Sequence, residues 1–186
     1  MFDIKWIFIF PNIFNQKSNR FYKIVIIGVK KLKHTEALLK AEKFQQKMEK
    51  IAQNDYWRPQ YHIAAPANWI NDPNGFCFYK GEYHLFYQYH PYSSQWGPMH
   101  WGHVASKDLA DWEHRPIALA PTDEYDKDGC FSGSAIENDG KLYLLYTGHV
   151  DLDNSNGGND RIETQCLAVS DDGKHFEKVE NNPVIK

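Results

Sequence analysis

The sequence predicts an all-β fold, two blades of a β-propeller preceded by one amphipathic α-helix, and three observations predict it. First, Gly75 to Tyr87 lines up with Ser134 to Tyr146 at an offset of 59 residues. Each copy reads strand, two-residue turn, strand, with Lys80-Gly81 and Asp139-Gly140 as the turns. Second, Ser106-Lys107-Asp108 through Trp112-Glu113 lines up with Ser170-Asp171-Asp172 through Phe176-Glu177 at an offset of 64. The five added residues fall naturally in the Gly/Asn/Asp-rich stretch Asp151 to Asp160. Third, no helical period follows Tyr56, and the chain is 15% aromatic, a composition suited to strands. Units of four strands at a fixed period are the mark of propeller blades. About three or more such units are needed to bury their faces. Two are present, so the sequence is expected to be the front part of a longer protein.

Residues 1–33 carry two apolar runs, Trp6 to Phe10 and Ile24 to Val29, broken by Pro11, polar residues and Lys23. Neither reaches the ~18 residues of a membrane span. The first run is short for a secretory leader and Asp3 interrupts its basic start. This segment is expected to be poorly ordered. Residues 34–55 read as an amphipathic helix with Thr35 as N-cap, Leu38, Leu39, Ala41, Phe44, Met48 and Ile51 near 3.6 spacing, and Asn54-Asp55 as its end. Residues 56–186 are the partial propeller.

The net charge of −3 hides an asymmetry. Residues 1–50 hold 11 Lys/Arg against 4 Asp/Glu, and the remainder hold 10 against 20. The acidic body offers no basic groove, which argues against nucleic acid as a partner, and no membrane partner is expected. Cys77, Cys130 and Cys166 are odd in number and lack a Cys-x-x-Cys pair, so free thiols in a reducing compartment are expected. His100 and His103, three apart on a strand, point to opposite faces and do not suit a shared metal ion.

Trp69-Ile70-Asn71-Asp72-Pro73-Asn74-Gly75 is the chemically suggestive stretch. Asp-Pro-Asn-Gly is a type I turn signal, with Asp at the first position, Pro at the second and Gly at the fourth. A turn carboxylate at the head of a strand (here Phe76 to Tyr79) is where sites are commonly built.

This stretch resembles the signature of the family 32 glycoside hydrolases, which include invertases, sucrose-6-phosphate hydrolases and fructan hydrolases. Further matches follow in order: Leu85-Phe86-Tyr87-Gln88-Tyr89, Trp96-Gly97 with His100-Trp101-Gly102-His103, Trp112-Glu113, and Phe131-Ser132-Gly133-Ser134. Arg58-Pro59-Gln60-Tyr61-His62 also looks like the family. The helix and the pattern Asp123 to Cys130 resemble its intracellular sucrose-6-phosphate hydrolase branch, which implies a cytoplasmic protein. The resemblance implies a five-bladed propeller whose axial pocket cleaves terminal β-fructofuranosides with retention, sucrose or sucrose 6-phosphate first and short fructans as further candidates. It implies Asp72 as the nucleophile attacking the anomeric C2. It implies Trp69, Ile70, Asn71, Gln88, Trp96, Phe131 and Ser132 as substrate-binding residues, with no metal and no organic cofactor. Retaining hydrolysis needs a second carboxyl about 5–5.5 Å from the first. The Arg-Asp-Pro and Glu-Cys motifs that carry the family's other carboxylates do not occur here, and Glu113, Asp128 and Glu137 read as turn or strand-face residues. Two alternatives stand beside this reading: a non-catalytic fragment with at most weak sugar binding, and a related arabinan-type hydrolase. Trp112 and Phe176 occupy equivalent repeat positions and read as structural, whereas Phe131 and Trp101 also suit the core.

Overall fold

The computed structural model describes residues 17–59, 61–152 and 160–186. It contains α1 (Lys17–Ala52) and eight strands: β1 (Trp69–Tyr79), β2 (Glu82–His90), β3 (His100–Ser106), β4 (Glu113–His114), β5 (Gly129–Asn138), β6 (Lys141–Asp151), β7 (Arg161–Ser170) and β8 (Glu177–Lys178). Strands β1 to β4 form one antiparallel sheet in chain order and β5 to β8 form a second. These are the two expected blades.

The hairpin turns follow from residue type. Lys80 and Gly81 have φ of 48° and 83°, and Asp139 and Gly140 have φ of 51° and 74°. Two consecutive positive φ values define the type I′ geometry that matches the twist of the flanking strands. The repeat extends to individual hydrogen bonds. Ser106 Oγ accepts the Leu109 amide at 2.8 Å, and Ser170 Oγ accepts the Gly173 amide at 2.8 Å. Asp108 Oδ1 accepts the amides of Ala110 and Asp111, and Asp172 Oδ1 those of Lys174 and His175. Each blade thus turns from its third to its fourth strand through the same Ser/Asp cap.

Strand alternation assigns the faces. On β2, Phe86 and Gln88 point toward the second sheet, and Tyr87 and Tyr89 point away from it. Between the sheets, Tyr79, Phe86 and Trp101 pack with Leu142, Leu144, Tyr146, Cys166 and Phe176. The opposite face of the first sheet, through Tyr87, Tyr89, Val104 and Ile117, is covered by α1 at Ala41 and Leu38. Trp112 packs at the margin of this second cluster, its Nε1 donating to the Leu109 carbonyl at 3.2 Å, and Phe176 is buried in the first.

Three expectations for the N-terminal region change. Residues 1–16 of the segment expected to be poorly ordered lie outside the described residues, and 17–33 are helical. Thr35 is not an N-cap. It sits inside α1 and its hydroxyl donates to the Lys31 carbonyl at 3.0 Å, the i−4 bond of a mid-helix threonine. No proline falls between Lys17 and Ala52, and the single glycine, Gly28, costs only about 1 kcal/mol against alanine. The buried stripe runs through His34, Leu38, Ala41, Phe44 and Met48. Leu39 and Ile51, expected on it, are 60% and 63% exposed because neighbouring helical residues lie about 100° apart.

Polar side chains of α1 complete the docking. Glu42 Oε1 accepts the Ile117 amide at 3.3 Å, and His34 Nε2 accepts the Ala120 amide at 3.2 Å. Burial pushes His34 down to about 3, helped by Lys178 and His100, and burial likewise pushes His100 to about 3. Both folded-state values lie below the ordinary histidine value of 6.5. The unfolded chain therefore takes up protons below pH ~6.5 that the folded chain refuses, and stability is lost as pH falls from there toward 3. At pH 5 each histidine is expected to contribute a loss of about 2 kcal/mol relative to neutral pH. Thermal melts at pH 7.5 and 5 check this, and His34→Gln, which keeps an acceptor for Ala120, is expected to remove its share of the loss.

Leu109 has φ of 67° where the second blade has Gly173 at 75°. A left-handed conformation costs a non-glycine residue roughly 1–2 kcal/mol. Leu109→Gly is therefore expected to be neutral or stabilising by up to about 1 kcal/mol in urea melts. Gly173→Ala is expected to destabilise by about 2 kcal/mol, since its Cβ would meet the Tyr79 ring at 2.9 Å.

Candidate active site

The Asp72-Pro73-Asn74-Gly75 stretch is not a turn. It lies inside β1, paired to β2 on either side: Ile70 opposite Tyr89, Pro73 opposite Tyr87, Asn74 opposite Phe86 and Cys77 opposite His84. Three β1 steps match two β2 steps at each of two places, so the strand bulges twice, once around Asp72 and once around Gly75. Tertiary pairing overrides the local turn signal. Pro73 is tolerated because β1 is the edge strand of its sheet and a proline has no amide to give to the ladder.

On β5, Phe131 pairs with Thr147 and Gly133 with Tyr146, leaving Ser132 as the extra residue of a third bulge. Asp72 and Ser132 are therefore both bulge residues, with side chains re-aimed out of their strands' alternation. They meet: the Ser132 hydroxyl donates to Asp72 Oδ2 at 3.2 Å, across 60 residues of sequence. Both side chains are exposed, as a site open to solvent requires.

The other candidate residues gather around this pair to different degrees. Gln88 is buried on β2, and its side-chain amide donates to the Cys130 carbonyl at 3.1 Å, next to Phe131. The Phe131 ring lies edge-on to Trp96 at 6.2 Å and stacks flat on His149 at 3.9 Å with 9° between planes. Trp96 is 54% exposed in the β2–β3 connection, and Gly97 beside it is required by the His90 ring, 2.7 Å from where a Cβ would lie. Trp69 Nε1 donates to Asn71 Oδ1 at 2.7 Å, which fixes the two residues against each other. Ile70 sits on the β1–β2 ladder and its side chain stays partly in solvent. Trp101 is fully buried and serves the core, its indole N–H donating to the Phe131 carbonyl at 3.1 Å.

Three side chains important to this geometry were not singled out from sequence. Asn74 is buried and bonds to Gly133 of β5. Its burial follows from β1 running straight through a stretch that reads as a turn. His149, under Phe131, pairs with Asp151 at 3.0 Å, and alternation along β6 carries the signal. Asp126 is completely buried ahead of β5. Its Oδ1 accepts the amides of Thr122 and Asp123, and its Oδ2 accepts the Tyr146 hydroxyl at 2.8 Å and pairs with Lys178. Burial works against the Lys178 ammonium, but the Asp126 carboxylate beside it holds its pKa above the ordinary value. No sequence pattern marks Asp126 apart from neighbouring surface acids. The acids set aside from the sequence have structural partners: Glu113 pairs with Arg115 at 3.0 Å, Asp128 accepts the Asp151 amide at 2.9 Å, and Glu137 accepts the Gly140 amide at 2.9 Å.

Two four-stranded blades with an exposed carboxylate, amides and aromatic walls where their first strands pass define a propeller domain of the glycoside hydrolase type. The chain belongs to family 32 of these enzymes: the family described as "Glycosyl hydrolases family 32 N-terminal domain" matches residues 62–186. A sucrose-6-phosphate hydrolase of Zymomonas mobilis is 55% identical over 142 residues, covering 76% of this chain and 27% of that protein. A raffinose invertase of Escherichia coli is 53% identical over 138 residues, covering 72% of this chain and 29% of that protein. Among solved structures, a variant of the Bombyx mori GH32 beta-fructofuranosidase in complex with sucrose superposes with a TM-score of 0.72 at 49% identity, over 81% of this chain and 31% of that one. The chain thus spans about a quarter to a third of the length of the relatives it matches.

A side chain at Gly133 would meet the Leu145 carbonyl oxygen at 1.9 Å and Tyr146 Cα at 2.8 Å, both backbone. Gly133→Ala is expected to destabilise by about 3 kcal/mol in urea melts, because neither obstacle is a movable side-chain end.

Proposed function

We propose that the protein containing this chain hydrolyses terminal β-fructofuranosides, with sucrose or sucrose 6-phosphate as substrate and short fructans as further candidates. Asp72 is the nucleophile of a retaining double displacement. Its carboxylate attacks the anomeric C2, a carboxylic acid protonates the leaving oxygen, and water releases fructose from the covalent intermediate. That acid must be kept protonated near neutral pH by its surroundings, and no residue of this chain is assigned to the role. The observation that carries the proposal is the Ser132–Asp72 hydrogen bond at 3.2 Å, which orients an exposed carboxylate at the meeting of two bulged strands. The names of the relatives supply the substrate class. Trp69, Ile70, Asn71, Gln88, Trp96, Phe131 and Ser132 are proposed to line the sugar site, with Phe131 and Trp96 as apolar walls for the ring faces.

Residues 56–186 are proposed as part of the catalytic domain, with α1 docked on its outer side. Among the described residues no helix is long and apolar enough to cross a membrane. We infer a cytoplasmic location, supported by three free cysteines, of which Cys77 is pushed up to about 11 by burial and Cys130 and Cys166 are also raised by burial.

In the full-length protein, Asp72→Asn is expected to lower sucrose turnover by at least about 1,000-fold while leaving the melting temperature within a few degrees. Wild-type turnover by that variant would remove Asp72 from the nucleophile role. Arabinan cleavage without sucrose cleavage by the wild type would replace the substrate class.

A further inference from the structure

Asp72 and Ser132 belong to different sheets, and no ladder hydrogen bond joins β1 to β5. Each bulge sets the direction of its own side chain. Neither sets the distance between the two. We propose that Asn74 is a positioning residue that ties the β1 bulge to the β5 bulge and so sets the Asp72–Ser132 contact, an inference that rests on the reading of Asp72 as nucleophile.

Asn74 has the means to do this. It is 4% exposed, so its amide is shielded from competing water. Its Oδ1 accepts the Gly133 N–H at 3.2 Å, on the peptide bond that joins Ser132 to Gly133. Its Nδ2 faces the Asp72 carbonyl at 3.4 Å, a long donor contact onto the backbone of Asp72 itself. One side chain therefore touches the Asp72 carbonyl and the amide of Gly133, the residue after Ser132, and the Ser132 hydroxyl reaches Asp72 Oδ2 at 3.2 Å. The glycines on either side permit it. Gly75, at φ of 54°, lets the strand turn after Asn74 and leaves room for Ala135 of β5, and Gly133 leaves room for the Leu145 carbonyl of β6. An apolar side chain at position 74 would take this acceptor from the Gly133 amide and let the bulges drift. Sub-ångström to 1 Å displacements of this kind lower rates by up to about 100-fold without touching substrate.

The test is a double-mutant cycle in the full-length protein, assayed on sucrose with Asn74→Ala, Ser132→Ala and the double variant. Asn74→Ala is expected to lower kcat about 10- to 50-fold, with KM moving less than about threefold, because Asn74 acts through Asp72 and not on the sugar. If Asn74 acts by presenting Ser132, the double variant is expected to lie within about threefold of the slower single variant. Wild-type kcat in Asn74→Ala, or single effects that multiply in the double variant, overturns the proposal. If Asn74→Ala melts without a cooperative transition, amide exchange in the wild type decides. The Gly133 amide is expected to exchange at least about 100-fold more slowly than an open peptide, and fast exchange overturns the tie. An inactive Asp72→Asn alongside a fully active Asn74→Ala removes this inference alone. An active Asp72→Asn removes the nucleophile reading and this inference with it.

Discussion

Where β1 passes β5, a Cβ on Gly75 would come within 3.1 Å of Ala135 on β5 and of Phe86 on β2. This close approach governs the structure. Two twisted sheets packed face to face bring their first strands together only where side chains are absent from one of the surfaces in contact. The aromatic layer behind them, with Phe86, Trp101 and Tyr146 fully buried, fills the space that widens away from the strands. Both strands bulge here. A bulge residue leaves the in-out alternation of its strand, and Asp72 and Ser132, released in this way, are both polar. The site thus rests on the packing: Gly75 allows the close approach, and the bulges beside it present polar groups.

Two further elements hold this arrangement from behind. Asp126 collects two backbone amides, a tyrosine hydroxyl and the Lys178 ammonium in a site with no solvent exposure. A buried ion pair of this kind adds little net stability against an apolar equivalent, but removing one partner leaves a buried charge and costs several kcal/mol. Its effect is to specify one path for the chain into Cys130, Phe131 and Ser132. On the other side, α1 satisfies the amides of Ile117 and Ala120, which would otherwise lie at a sheet margin without backbone partners.

Much of this was legible in residue types. The hairpins were, because Lys80-Gly81 and Asp139-Gly140 carry the chemistry of positive φ. So were the blade repeats, because Ser106/Asp108 and Ser170/Asp172 cap the same turn with the same hydrogen bonds. The stretch around Asp72 reads as a turn in sequence and is a strand in the structure. Its sequence is that of a turn, and only pairing with β2, at long range, makes it a strand. Asn74 was missed for that reason, since a residue assigned to an exposed turn gives no cause to expect a buried amide. The start of α1 was misplaced because Thr35 is a good cap in isolation, and a helix continuing upstream removes the need for one. Leu39 and Ile51 satisfied a spacing rule that admits a wider stripe than the sheet covers.

The plain chain-order topology of the two sheets bears on how the molecule is made. Every ladder joins neighbours in sequence, β1 to β2, β2 to β3, β5 to β6, β6 to β7. Pairing of this kind closes short loops, which is the entropically inexpensive route to a sheet. The named ladders of the first blade are complete in sequence by His114, before β5 begins. What must wait is the contact of Asp72 with Ser132, separated by 60 residues. The hydroxyl and the carboxylate meet only where the second blade docks on the first, so the contact between them reports that docking.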